Sequence, residues 1–343
     1  MIRRIVLSLF FILLSLPIVA NEVELNPDHP KRYTVVKGDT LWDISGMFLK
    51  YPWHWPDIWY VNPQIENPHL IYPGDELSLV YRDGRPVLEL NRGKRDVKLS
   101  PQVRETMLDK PIPTIPLSAV GPFLSKPRVV GAEVLDNAPY VVASADERLI
   151  SASGDYVYAR GVEPDSSDDF AVFRGGKVYT DPDTSEVLGY EAIYTADASL
   201  VTEGDPAKMD ITYSNREVQI GDRLLEIEDE NYDLNFIPRS PEQQMDGRII
   251  SVFDGVSQVG QYQIVVLNLG NRDGLETGHV LSVWKAGETI PDQVTADRKD
   301  VVTLPDEHAG EAMVFKIYEK VSFALVMKAT KAIHLYDRVK SAP

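Results

Sequence analysis

Residues 33–45 read Tyr-Thr-Val-Val-Lys-Gly-Asp-Thr-Leu-Trp-Asp-Ile-Ser, residues 59–63 read Trp-Tyr-Val-Asn-Pro, and residues 70–79 read Leu-Ile-Tyr-Pro-Gly-Asp-Glu-Leu-Ser-Leu. Tyr33 to Val36 is a short β-branched run that suits a strand, and Lys37-Gly38-Asp39 breaks it with turn chemistry. Thr40 stands where a helix N-cap belongs, with Asp43 three residues on to complement the exposed first-turn amides. Leu41, Ile44 and Phe48 fall at i, i+3 and i+7, which predicts one buried helical face. Pro56 suits the first turn of a second short helix running to Val61, and Asn62-Pro63 stops it. Pro73-Gly74 turns the chain, and Leu77 to Val80 returns as a strand beside the first. The expected order is strand, helix, helix, strand.

These three phrases, in this order and spacing, resemble a LysM module, taken as residues 31–80. The resemblance implies binding to N-acetylglucosamine-containing glycan, in bacteria the peptidoglycan. It also implies a shallow groove between the loop after the first strand and the loop before the second. Carried onto this chain, one side is Gly38, Asp39, Thr40 and Leu41, and the other is Asn62, Pro63, Leu70, Ile71 and Tyr72. A turn with free N–H groups facing Leu or Ile suits a sugar that offers amide, hydroxyl and methyl groups. The same turn residues also have a local use, and Asp39 in particular is divided between capping the helix and touching sugar.

A module of about 48 residues has little core of its own, so it needs large buried side chains. Four of the chain's five tryptophans, Trp42, Trp53, Trp55 and Trp59, lie in it, with Tyr51 and Tyr60. They can stack on sugar faces or close the small core, where each Trp buries roughly 150 to 250 Å². The stretch Lys50 to Pro56 is longer and more aromatic than the usual LysM link between helices.

Arg3 and Arg4 precede an apolar run, Ile5 to Leu16, followed by Pro17 and Ala20, so residues 1–20 read as a secretory signal peptide. The run is short against the roughly 20 residues of a membrane span, which favours cleavage near Ala20 over an anchor and leaves no transmembrane segment afterwards. The chain has no cysteine, which removes structural disulfides and a lipoprotein anchor from consideration. The expected location is the periplasm, associated with peptidoglycan and peripherally with the outer membrane.

Charge is uneven. Residues 31–110 hold 12 Lys/Arg and 11 Asp/Glu, whereas residues 111–343 hold 21 and 38. That acidity disfavours a polyanionic partner, so no nucleic acid is expected. Residues 81–127 form a Pro-rich linker with a short helix from Ser100 to Leu108. Its Pro111-Ile-Pro-Thr-Ile-Pro116 stretch is expected to be extended, either as a semi-rigid spacer or as an edge segment packed on the next domain.

From Arg128 onward short β-type runs alternate with Asp-Gly, Gly-Asp and Pro-Asp turns. They predict a β-rich middle domain at 128–240 and a β-rich C-terminal domain at 241–343. The fold class is therefore multidomain, an α+β LysM (βααβ) module followed by mainly-β sandwich or barrel-like domains. Ile220-Gly-Asp-Arg-Leu and Leu335-Tyr-Asp-Arg-Val recur, and Gly154-Asp155 and Gly74-Asp75 share the turn. Such recurrence is either hairpin grammar or duplication. Trp284 and the strand Tyr262 to Leu269 are candidates for a partner surface or for core.

With this order, the linker and the phrase Tyr179-Thr-Asp-Pro-Asp-Thr-Ser-Glu-Val-Leu-Gly-Tyr-Glu-Ala192, the chain resembles LysM proteins associated with the type IV pilus secretin. Residues 247–343 resemble the C-terminal domain of a flagellar accessory protein. The resemblance implies a tether between the wall and an outer-membrane secretin ring.

Nothing points to catalysis, a cofactor or a metal. Cysteine nucleophiles are absent, the six histidines stand apart without a His-Glu-x-x-His pattern, and no Gly-x-Ser-x-Gly occurs. Paired carboxylates of a glycosidase stay open, as does a hydrolase-regulating role. A soluble chitin-binding effector would have no use for 200 or so acidic β residues.

Overall fold

The computed structural model describes residues 23–59, 70–91, 111–116, 118–121, 128–145, 148–164, 166–227, 236–253, 258–292, 294–295 and 300–343. The signal-peptide reading, the helix expected at 100–108, Tyr60, Asn62 and Pro63 lie outside them. No helix among the described residues is long and apolar enough to cross a membrane.

The first body contains β1 (Arg32–Thr34), α1 (Leu41–Phe48), a 3₁₀ turn at Pro52–His54, α2 (Trp55–Trp59), β2 (Glu76–Arg82) and β3 (Arg85–Asn91). β1 and β2 are antiparallel, with Tyr33 opposite Leu77. Leu41, Ile44, Phe48, Trp55, Ile58, Trp59, Ile71 and Leu77 form the core, so the expected helical face is buried. Residues 81–91, assigned from sequence to the linker, instead complete a three-stranded sheet, because β3 pairs with β2 along its length. Asp83 and Gly84, at φ 50° and 80°, make the two-residue turn; an Asp-Gly pair suits positive φ at both positions. Val87, Leu88 and Leu90 of β3 are buried.

The middle body holds β4 (Arg128–Val130), α3 (Ala132–Asn137), β5 (Tyr140–Ser144), β6 (Ile150–Ser151), β7 (Tyr156–Arg160), β8 (Asp169–Thr180), β9 (Val187–Thr202), β10 (Ala207–Ser214), β11 (Val218–Gln219) and β12 (Arg223–Glu226). The sheet runs β10-β7-β5-β12-β8-β9, and β9 pairs again with β10. The sheet therefore closes on itself, around Val141, Val157, Phe170, Val172, Met209, Ile211 and Leu224.

The last body holds β13 (Asp246–Val252), β14 (Gln258–Val259), β15 (Ile264–Leu267), β16 (Val280–Lys285), β17 (Thr289–Pro291), β18 (Val301–Thr303), β19 (Glu307–Ile317), β20 (Ser322–Ala329), β21 (Ile333–His334) and β22 (Arg338–Ser341). β13-β15-β20-β19-β16-β22 is a closed barrel. The two barrels share one connectivity. Counting the six barrel strands of each in chain order, both run 1-2-5-4-3-6, and in both a small strand between the first and second pairs with one between the fifth-position strand and the sixth, as β6 with β11 and β14 with β21. In both, a Gly-Asp or Tyr-Asp phrase opens the sixth strand, at Gly221-Asp222 before β12 and Tyr336-Asp337 before β22.

Alternate side chains of the C-terminal barrel serve two cores. Val265, Leu267, Ala324 and Val326 point inward, while Ile264, Val266, Phe323, Leu325 and Met327 form an outer layer. This burial on both faces explains why these strands read as continuous apolar runs rather than alternating ones. It also places Tyr262–Leu269 in the core in part, while Trp284 packs edge-on to His308 at 5.4 Å.

The outer layer is covered by three other stretches of chain, namely Trp42 and Trp53 of the first body, Ile115 and Val120 of the linker, and Val129, Tyr179 and Leu188 of the middle body. Tyr179 and Leu188 belong to an arm, the ends of β8 and β9 that extend beyond the middle barrel. At its tip Asp183 pairs with Arg248 at 2.7 Å, and Glu186 with Arg272 at 2.9 Å and Lys320 at 2.7 Å. Asn268 Nδ2 donates to Asp181 Oδ2 at 2.7 Å. The phrase singled out at 179–192 is thus an inter-barrel grip.

Candidate functional site

The groove lies at the start of α1. Thr40 is its N-cap, and Thr40 Oγ1 accepts from the Asp43 amide at 3.1 Å while donating to Asp43 Oδ2 at 2.7 Å. Asp39 does not cap the helix. Its Oδ2 accepts from the Val36 amide and from the Tyr33 hydroxyl, both at 2.9 Å, closing the turn whose Gly38 sits at φ 103°. Burial and the hydrogen bond to Asp39 raise the Tyr33 phenol above its ordinary range.

A helix begins with four amides that its own turns cannot satisfy. Ile44 makes the first intrahelical bond, to the Thr40 carbonyl. Of the amides before it, Asp43 donates to Thr40 Oγ1, and Leu41 and Trp42 donate to the carbonyls of Pro113 and Thr114, at 2.9 and 3.1 Å. Across the groove the Ile112 amide donates to the Ile71 carbonyl at 2.8 Å. Ile112 is buried in the same cluster as Leu41 and Ile71. The Pro-rich stretch 111–116 is therefore not a solvated spacer; its first part is a strap lying between the two walls of the groove, and Ile115 packs on the C-terminal barrel.

Structure thus brings Leu41 and Ile71 together, both fully buried, beside Thr40 at 4 % exposure. Gly38 and Asp39 shape the adjoining turn, Leu70 is 47 % exposed at the rim, and the Tyr72 amide donates to Asp75 Oδ2 at 3.0 Å. Ile112, Pro113 and Thr114 escaped the sequence reading. Their signal was the pair Ile112 and Ile115, apolar residues that a solvated spacer does not need.

The four tryptophans divide two ways. Trp55 and Trp59 fill the module's core with ring centroids 5.0 Å apart. Trp42 and Trp53, 6.2 Å apart, form the seam with the C-terminal barrel. There Trp53 Nε1 donates to the main-chain oxygen of Pro343 at 3.2 Å, and the Tyr262 hydroxyl donates to Asp43 Oδ1 at 3.2 Å. No group of three His, Cys, Asp or Glu side chains suited to a metal converges among the described residues.

A family model described as LysM domain matches residues 33–80. The uncharacterized protein YqbP of Bacillus subtilis (strain 168) is similar over 60 residues at 43 % identity, which is 15 % of this chain. The alignment spans 27 % of that relative's own length.

Proposed function

We propose, taking as premise that residues 33–80 are a LysM domain and that such a domain implies glycan binding of the peptidoglycan or chitin type, that the protein is a non-enzymatic wall-binding adaptor. The groove between Leu41 and Ile71 engages N-acetylglucosamine-containing glycan in the periplasm, and the barrels hold a protein partner, an outer-membrane secretin ring of the type IV pilus kind. The observation that carries this is the groove itself. Two helix-start amides and one carbonyl face each other between Leu41 and Ile71, which suits the donor, acceptor and methyl of an acetamido group. Binding per module is weak on this reading and becomes effective through many copies around a ring.

Co-sedimentation of the purified protein with enzyme-free sacculi tests it. The protein is expected in the pellet without release of muropeptides, and Leu70→Asp at the exposed rim is expected to shift it to the supernatant by about ten-fold or more. Muropeptide release would replace the adaptor with a hydrolase. Cross-linking of wall-bound protein to secretin tests the second half, and a secretin that cross-links no more than other outer-membrane proteins would remove it.

A further inference from the structure

We infer that the 111–116 strap is a built-in occupant of the LysM groove, and that glycan and strap compete for the same backbone groups. This inference rests on the glycan reading of that groove. The strap engages the groove as a secondary amide would. Its Pro113 and Thr114 carbonyls take the Leu41 and Trp42 N–H groups, and its Ile112 N–H takes the Ile71 carbonyl. An N-acetyl group carries the same C=O and N–H pair. The Ile112 side chain, 4 % exposed, occupies the apolar position beside Leu41 and Ile71 where an acetyl methyl would sit.

The contact is too complete to be shared. Leu41 and Ile71 are fully buried with the strap in place, so a sugar reaching them must displace it. Proline suits this use: it fixes an extended backbone and removes two donors, at 111 and 113, that would otherwise need partners. Farther along, Ile115 is buried in the outer layer of the C-terminal barrel. The strap therefore links groove occupancy to the seam between the first module and that barrel. Where the binding-competent state is a fraction of the population, apparent affinity falls by that fraction.

The test uses the full chain, the N-acetylglucosamine tetramer as probe, and amide exchange read at Leu41, Trp42 and Ile112. In the wild type without sugar all three amides are expected to exchange slowly. Saturating tetramer is expected to speed Ile112 while Leu41 and Trp42 stay slow, because sugar oxygens replace the strap carbonyls. Ile112→Glu, which removes the apolar plug without touching a groove wall, is expected to bind the tetramer about ten-fold more tightly. Tetramer binding that leaves Ile112 protected, with equal affinity for wild type and variant, would overturn the competition and leave the glycan reading standing. A folded Ile112→Glu whose Leu41 and Trp42 amides exchange freely but which binds no tetramer would instead remove the glycan reading and the competition with it. The wild-type exchange experiment decides the matter even if the variant does not fold.

Discussion

Five aspartates do one task. Asp39, Asp75, Asp155, Asp222 and Asp337 each accept, through Oδ2, the amide three residues earlier, at 2.8–3.0 Å. Each follows a residue of positive φ, namely Gly38, Gly74, Gly154, Gly221 and Tyr336. Their own amides return to the carbonyl three residues back, so these are type II turns locked by a side chain. Tyr336 at φ 71° is the exception that carries strain. Tyr336→Gly is expected to leave stability unchanged or raise it by up to about 1 kcal/mol, while Gly221→Ala costs about 1 kcal/mol. Urea midpoints separate the two. Asp222 is 3 % exposed, and its carboxylate also holds Arg174 at 2.8 Å. Asp222→Ala is therefore expected to cost about 3 kcal/mol by the same measurement, since it strips a half-buried guanidinium of its partner. The phrase was legible as a recurrent turn because Gly-Asp announces it. Its equivalence at 336 was less so, because a tyrosine stands where the geometry asks for glycine.

At the scale of elements, the arm of β8 and β9 is held to the C-terminal barrel by buried Tyr179 and Leu188 and, at its tip, by charge. Hydrogen bonds from Arg272 and Lys320 hold the Glu186 carboxyl down at about 2. A carboxylate with a depressed folded pKa contributes stability that is complete above its unfolded value of about 4.3 and is lost as pH falls through the folded one. Arm docking is therefore expected to weaken as pH drops from about 4.3 toward 2, and to weaken with salt because the pairs are partly exposed. Amide exchange along 179–190 reads both. Glu186→Gln is expected to remove much of this acid dependence, and an unchanged acid profile would assign it to other groups. The arm's sequence stood out early, but its partners did not. Arg272 lies 86 residues beyond Glu186, and Lys320 lies 134 beyond it; no local period carries pairing across that distance.

For the whole molecule, the C-terminal barrel is the body on which the other parts converge. The first module docks through Trp42, Trp53 and the Tyr262–Asp43 hydrogen bond, and the arm docks beside it. Trp53→Ala is expected to cost about 3 kcal/mol and to appear in calorimetry as separate melting of the first module. A single unchanged transition would show that the seam does not couple the two. The fold class was readable from periodicity and turns: a βααβ module with Leu41, Ile44 and Phe48 inward, then closed β bodies. The seam was not readable. Tryptophan serves a small core, a sugar platform or a docking face equally well, and only placement separates Trp55 from Trp53.

Covalent attachment gives the strap a property that no free competitor has. Residues 111–116 begin 20 residues after β3 ends at Asn91, so they face the groove at an effective concentration set by a tether of fixed length. Diluting the protein does not loosen them. On the competition proposed above, scarce glycan fragments therefore pass the groove by, whereas a polymer crowded with repeating sugars competes on level terms. Such a molecule responds to the density of the polymer around it rather than to the presence of the sugar.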